Sequence, residues 1–353
     1  MSTTKYFDIF AFLNFLRMKF NSLFCIFASI ILMVASACST KIDINEPYKE
    51  QTVVYGLLNQ TDSIQYIKIN KAFLGEGNNF DYAQIPDSFN YNPADLRVKL
   101  EVIKNKLKTK EIILRDTILP GAASGVFSKE KNIIYYTKEK LIAKENGEFL
   151  TYRLVINNIK SGNEVTAETN LIDRVSLNFL GTSFSIIRTD GNFVPINLEW
   201  NPANFAKTYN IILTFYYSES TGSTAAVTKS VDWNLGEVTA ASSNGTGQPL
   251  VLKTNGEDFI SYLKSLKSSN FPDGNFTRTA DSVKYTLFSG GDELYFYQQV
   301  NKPSSGLLLE KPLYGNIKNG IGIFSCRGKF VSPSLKVSDA TKDFLTSQGL
   351  GFK

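Results

Sequence analysis

The chain of 353 residues has no histidine, and its sulfur-bearing residues are limited to three cysteines and three methionines. Without imidazole there is no Ser-His-Asp or Cys-His catalysis, and no histidine-ligated zinc, copper, haem or non-haem iron. The positions of the sulfur residues are as informative as their scarcity. Met1, Met18, Met33, Cys25 and Cys38 all fall in the first 38 residues, and everything after them holds Cys326 alone. Known phosphate and nucleophile loops are missing as well, since no Gly-x-Ser-x-Gly elbow, Walker loop or EF-hand loop occurs. Gly320-Ile321-Gly322 lacks the third glycine of a dinucleotide loop and has β-like flanks, so it reads as a strand with close backbone packing.

What is present at the start is a long apolar run. Phe20 to Thr40 is 21 residues without a charge, preceded by Arg17 and Lys19 and followed by Lys41. A basic stretch, an apolar stretch and small residues before a cysteine are the parts of an export signal. Val34-Ala35-Ser36-Ala37-Cys38 resembles a bacterial lipobox, in which cleavage precedes the cysteine and the new N-terminal Cys38 carries acyl chains. Alanine stands at Ala35 where such boxes most often have leucine. The competing reading is an uncleaved membrane anchor, for which ~20 apolar residues suffice, but Ala-Ser-Ala before Cys has no reason to end a plain membrane helix. Met18 also begins a compact signal, so either Met1 or Met18 serves as the start.

With residues 1–37 set aside as signal, 35 basic and 32 acidic residues remain over 316 positions. That balance carries no basic stripe, so nucleic acid is not an expected partner. Lys99, Lys104, Lys106, Lys108 and Lys110 do crowd together, but at and beside a hairpin tip, where they read as a solvated edge that resists aggregation. Cys326, alone after Cys38 and lying between Phe324 and Arg327 in an apolar run, reads as a core thiol. No metal site and no cofactor are expected.

A chain of this length exceeds the usual single core. The pattern predicts a mainly β protein: residues 38–50 as a tether, 51–172 as an immunoglobulin-like β-sandwich, and 173–353 as a fibronectin-III-like β-rich domain with a few added helices. In the first part, 52–59 and 63–70 flank a Gln60-Thr61-Asp62 turn, and Leu96, Val98, Leu100 and Val102 alternate strictly onto one face. Further strands are expected at 111–115, 132–137 and 149–157, with a closing hairpin from Tyr152 to Thr169. In the second part, Trp200 is placed between sheets and Tyr209 at the start of the next strand. Helices are expected over 255–267 and 292–300, with a last one capped by Ser338.

No residues present themselves as catalytic. Asp292-Glu293 and Glu257-Asp258 sit where helices should start, and the helix dipole explains negative charge there. Tyr295-Phe296-Tyr297 and Tyr216-Tyr217 read as core or sheet-face aromatics, with ligand platforms as the rival reading. The segment Gly75–Asp95 is 21 residues without a clear period between two strong strands. Connections beyond ~12–15 residues are often functional, and its aromatics Phe80, Tyr82, Phe89 and Tyr91 make it the candidate ligand-contact loop. Asp62-Ser63-Ile64, Asp116-Thr117-Ile118 and Asp281-Ser282-Val283 resemble the O-glycosylation triplet of exported Bacteroidetes proteins.

The signal ending at Cys38, the strand Val53–Leu57, the Tyr152–Thr169 hairpin and the block Pro312–Phe324 together resemble a Bacteroidetes envelope lipoprotein family, catalogued as domain of unknown function forty-two forty-nine. Its most specific piece is Asn316-Ile317 followed by Asn319-Gly320-Ile321-Gly322-Ile323-Phe324. The resemblance implies an outer-membrane lipoprotein associated with TonB-dependent receptors, and it brings no catalytic residues. The expected function is therefore a non-catalytic cell-envelope protein, held by membrane lipid through acylated Cys38, that serves as an accessory or ligand-binding partner of an outer-membrane receptor, on its periplasmic or its surface side. The alternatives are a carboxylate-dependent glycan-active enzyme, which needs a pair of acids and no histidine, and a structural surface adhesin.

Overall fold

Alternation at period two fixes which face of a strand is buried, and in the computed structural model Leu96, Val98, Leu100 and Val102 all lie in the core while Arg97 is exposed. The structure describes residues 51–72, 81, 83–120, 132–178, 180–222, 224–302 and 314–353. The expected signal, Cys38 and the expected tether lie outside them. Among the described residues no helix is long and apolar enough to cross a membrane.

The first half contributes β1 (Thr52–Leu58), β2 (Gln65–Lys71), β3 (Leu96–Lys104), β4 (Leu107–Ile113), β5 (Arg115–Leu119), β6 (Asn132–Thr137), β7 (Lys144–Glu145), β8 (Glu148–Phe149), β9 (Thr151–Asn158) and β10 (Glu164–Asn170). The second half contributes β11 (Ser183–Phe184), β12 (Pro195–Trp200), β13 (Thr208–Thr221), β14 (Val227–Thr239), β15 (Leu250–Asn255), β16 (Phe276–Gly290), β17 (Gly320–Val331) and β18 (Leu335–Val337). The protein is mainly β, as expected.

Two sheets enclose the first core. One has the order β10-β9-β3-β4; the other is the arm β1-β2-β6-β5 of a ten-stranded sheet. The β1–β2 turn is held by side chains standing in for backbone. Gln65 donates to the Asn59 carbonyl at 2.8 Å and accepts from the Asn59 amide at 2.9 Å. The β3–β4 turn places Asn105 and Lys106 at positive φ, the geometry of a tight two-residue hairpin.

In the second half β13 lies between β14 and β16, and β12 pairs with β15 in a small separate sheet. Trp200 is fully buried, with its ring 5.6 Å from that of Tyr209. Tyr209 lies at the start of β13, and its hydroxyl accepts the Ala203 amide at 2.8 Å. The helix Gly256–Ser265 begins with a capping box between Asn255 and Asp258 and buries Phe259, Ile260 and Leu263. The Ser338-capped helix spans Asp339–Thr346 and buries Leu345.

The boundary expected near residue 172 does not separate two independent bodies. The chain from Glu50 onward is one compact unit, because β17 belongs to both halves. Its residues Gly320–Cys326 run parallel to Thr52–Leu58 of β1, and Arg327–Val331 run antiparallel to Thr286–Gly290 of β16. Gly322 adopts a φ of +107°, and a side-chain carbon there would lie 2.1 Å from the Val54 carbonyl oxygen. The close packing expected at Gly320-Ile321-Gly322 is therefore what the strand does. Asn316 and Asn319 secure the entry to β17. The Asn316 side chain accepts the Phe324 amide at 2.9 Å, and Asn319 donates to the Glu164 carbonyl at 3.0 Å.

The far end of β16 holds a buried charge. Arg278, almost wholly inaccessible, donates to Glu219 at 2.7 Å, to the Leu350 carbonyl at 2.7 Å and to the Pro272 carbonyl at 3.1 Å. Lys229 reaches the other Glu219 oxygen. The C-terminal residues are thereby tied to the sheet, and Phe352 packs against Phe215, Tyr217 and Phe271.

Candidate functional site

Directly opposed residues in a sheet point to the same face. Across β5 and β6, Asp116 opposes Tyr135 and Ile118 opposes Ile133. That face is the inner one, since Ile133 and Tyr135 are in the core. Ile118 is nevertheless 64% exposed, so the sandwich is open at the β5 end. The opening is a cleft of about 900 Å³, within the range of small-ligand sites. The large sheet contributes Lys71, Asp116, Ile118 and Ile133 to it, and the β9–β10 turn contributes Asn158, Lys160 and Ser161. Asp87, Asn90, Tyr91, Asn92, Pro93 and Asp95 complete the lining.

Beside Asp116 the Tyr135 hydroxyl is buried without a hydrogen-bond partner. Burial, and secondly the negative charge of Asp116, raise its pKa, so the phenol stays protonated. An unmade buried hydrogen bond costs about 1–3 kcal/mol, which makes this group stand out.

The candidate contact loop is described only in part. Phe80 and Tyr82 lie outside the described residues. Phe89 and Tyr91 are each 7% exposed, so both are largely covered, and of the two Tyr91 lines the cleft. The cause is local. A single helical turn at Pro86–Phe89 and a 3₁₀ turn at Pro93–Asp95 fold the segment back, and Asn70 donates to the Phe89 carbonyl at 2.9 Å and to Asn90 at 3.0 Å. The Tyr91 hydroxyl meets the Thr52 hydroxyl at 2.9 Å. The same segment lines the cleft through Tyr91 and Pro93 as well as through Asp87, Asn90, Asn92 and Asp95.

The other aromatic candidates divide. Tyr217 is core, while Tyr216 is half-buried with the Lys284 ammonium 5.6 Å from its ring. The helix Asp292–Asn301 buries none of its residues fully. Phe296 is exposed, 5.4 Å from Tyr295 and 5.9 Å from Tyr314, and Tyr297 meets the exposed Tyr55 edge-on at 6.4 Å.

At that helix's first turn Asp292 accepts a hydrogen bond from Ser243, and Glu293 accepts one from Ser325 at 3.0 Å. Burial raises the Glu293 pKa despite the Ser325 bond. The native state therefore keeps a proton that the unfolded chain has already lost, and stability falls as pH rises from the ordinary glutamate range to the raised one. Glu293→Gln is expected to remove that fall, so thermal melts of the variant and the parent should diverge above this window, with the variant more stable. Parallel melting curves would refute the assignment. Cys326 is nearby, fully buried, with its thiol pushed up to about 12 by burial, as a core cysteine should be.

The crowded lysines meet acids rather than an open field. Lys99 and Lys108 bridge Glu101 and Glu111, Lys104 bridges Glu145 and Glu148, and Lys110 bridges Glu139. Of the three Asp-Ser/Thr triplets, Ser63 lies in an exposed turn, whereas Ser282 sits inside β16, paired with both β13 and β18. Among the described residues no three acidic, cysteine or histidine side chains come together as a metal set. No protein-family model matches the chain, and no curated protein matches it either.

Proposed function

We propose that the protein is a non-catalytic, lipid-anchored cell-envelope protein that binds a ligand in partnership with an outer-membrane, TonB-dependent transport system. The observation that carries this reading is Val34–Cys38 at the end of a long apolar run, placed just before a β-rich body whose first described strand starts at Thr52. The family resemblance supplies the transporter, and the cleft beside β5 offers the ligand a place.

Cys38→Ser is expected to abolish incorporation of labelled palmitate and to release the protein from membranes. Retained label would overturn the anchor. Affinity capture of the tagged lipoprotein from envelope membranes is expected to recover a transporter in stoichiometric amount; self-association alone would instead support an adhesin.

The glycan-active alternative has Asp87, Asp95 and Asp116 around the cleft. Sugar-cleaving sites also use aromatic walls, and here the ring of Tyr91 is largely covered and its hydroxyl engaged. This counts against catalysis on sugars.

A further inference from the structure

We propose that β5 and the cleft beside it bind an extended peptide, which adds to the sheet edge as one more strand. The idea rests on the ligand-binding reading above and names the ligand's class. β5 is the last strand of its sheet, paired with β6 alone among the described residues. An edge strand leaves alternate N–H and C=O groups turned outward, and a peptide backbone satisfies them in register. This edge is only partly defended against such pairing, by Asp116 on its inner face and Arg115 on its outer one. It has no proline, no bulge and no lysine, and Ile118 on its inner face is exposed.

The cleft makes the edge selective. Side chains of an added strand alternate, so those facing inward would enter the space bounded by Asp116, Ile118 and Ile133. Asp116, next to the exposed Ile118 on the same face, favours a basic residue beside an apolar one. A sugar would find no open ring to stack on, whereas a peptide finds a backbone ladder and an apolar wall.

The test uses the full chain, purified from membranes in detergent, and the capped peptide Thr-Lys-Thr-Val-Thr, whose two inward residues are lysine and valine. Hydrogen–deuterium exchange at Arg115–Leu119 is expected to slow by about tenfold at saturating peptide. The same peptide methylated on its backbone nitrogens should lose the effect. Asp116→Lys should weaken binding of the lysine peptide and restore it for one bearing glutamate in its place. Unchanged exchange, equal binding of the methylated peptide, or protection by a chitin oligosaccharide instead would each overturn the proposal. Palmitate labelling and transporter capture read separate properties, so the two hypotheses fail independently.

Discussion

Replacing Arg278 by methionine is expected to lower the thermal midpoint by on the order of 10 °C, because breaking one side of a buried ion pair costs about 3–5 kcal/mol. The guanidinium satisfies Glu219 and two backbone carbonyls at once, so its removal leaves a buried carboxylate short of a partner and frees the Leu350–Phe352 end. Burial opposes the charge on Glu219, but hydrogen bonds from Lys229 and Arg278 outweigh it and hold the carboxyl below the usual glutamate range. Stability from this pair is therefore present above the ordinary glutamate pKa and is lost as pH falls through the lowered one. Arg278→Met should flatten that acid limb. The double variant Arg278→Met with Glu219→Gln should regain a large part of the loss, since no unpaired charge is then buried. A shift of less than about 2 °C in the single variant would show that the pair contributes little.

Gly322→Ala is expected to be at least as damaging. A non-glycine residue in a disfavoured backbone region costs about 1–3 kcal/mol, and here the new methyl would also press on the Val54 carbonyl at 2.1 Å. Neither group can move without parting β1 from β17. Gly162→Ala separates the two effects. Gly162 also has positive φ (+73°), but nothing lies within 4 Å of the added carbon, so its cost should stay near 1 kcal/mol, the backbone term alone. Exchange protection should vanish at 52–58 and 320–326 in the first variant and persist in the second. If both variants melt alike, the steric argument is wrong.

Local periodicity made much of the fold legible. β3, β6 and β9, the Trp200–Tyr209 pair and the three longer helices stand where alternation, turn residues and caps place them, because those signals act within a few residues. The joining of halves was not legible. Nothing near Gly320 states that its partner is Thr52, and pairing across such distance is set by the whole core rather than by either strand. For the same reason Asn316 and Asn319, the most distinctive residues of the family-like block, looked like a signature and prove to be backbone braces. The cleft was hidden differently. Aromatic content points to Phe89 and Tyr91, of which Tyr91 lines the opening while largely covered, whereas the polar residues around it that complete the lining carry no periodic signal. Asp116 and Ile118 stand out in the sequence only as part of an O-glycosylation-like triplet, not as a cleft wall, since that role lies in what fails to cover them.

The parallel contact between β1 and β17 also dictates an order of assembly. About 270 residues separate the two strands, and contacts of such sequence separation close late and slowly. A chain that emerges from its N-terminus pairs β1 with β2 early but must hold it without β17 until nearly the whole polypeptide has followed. Such a protein stays unfinished during synthesis, with β17 acting as the latch between its two halves.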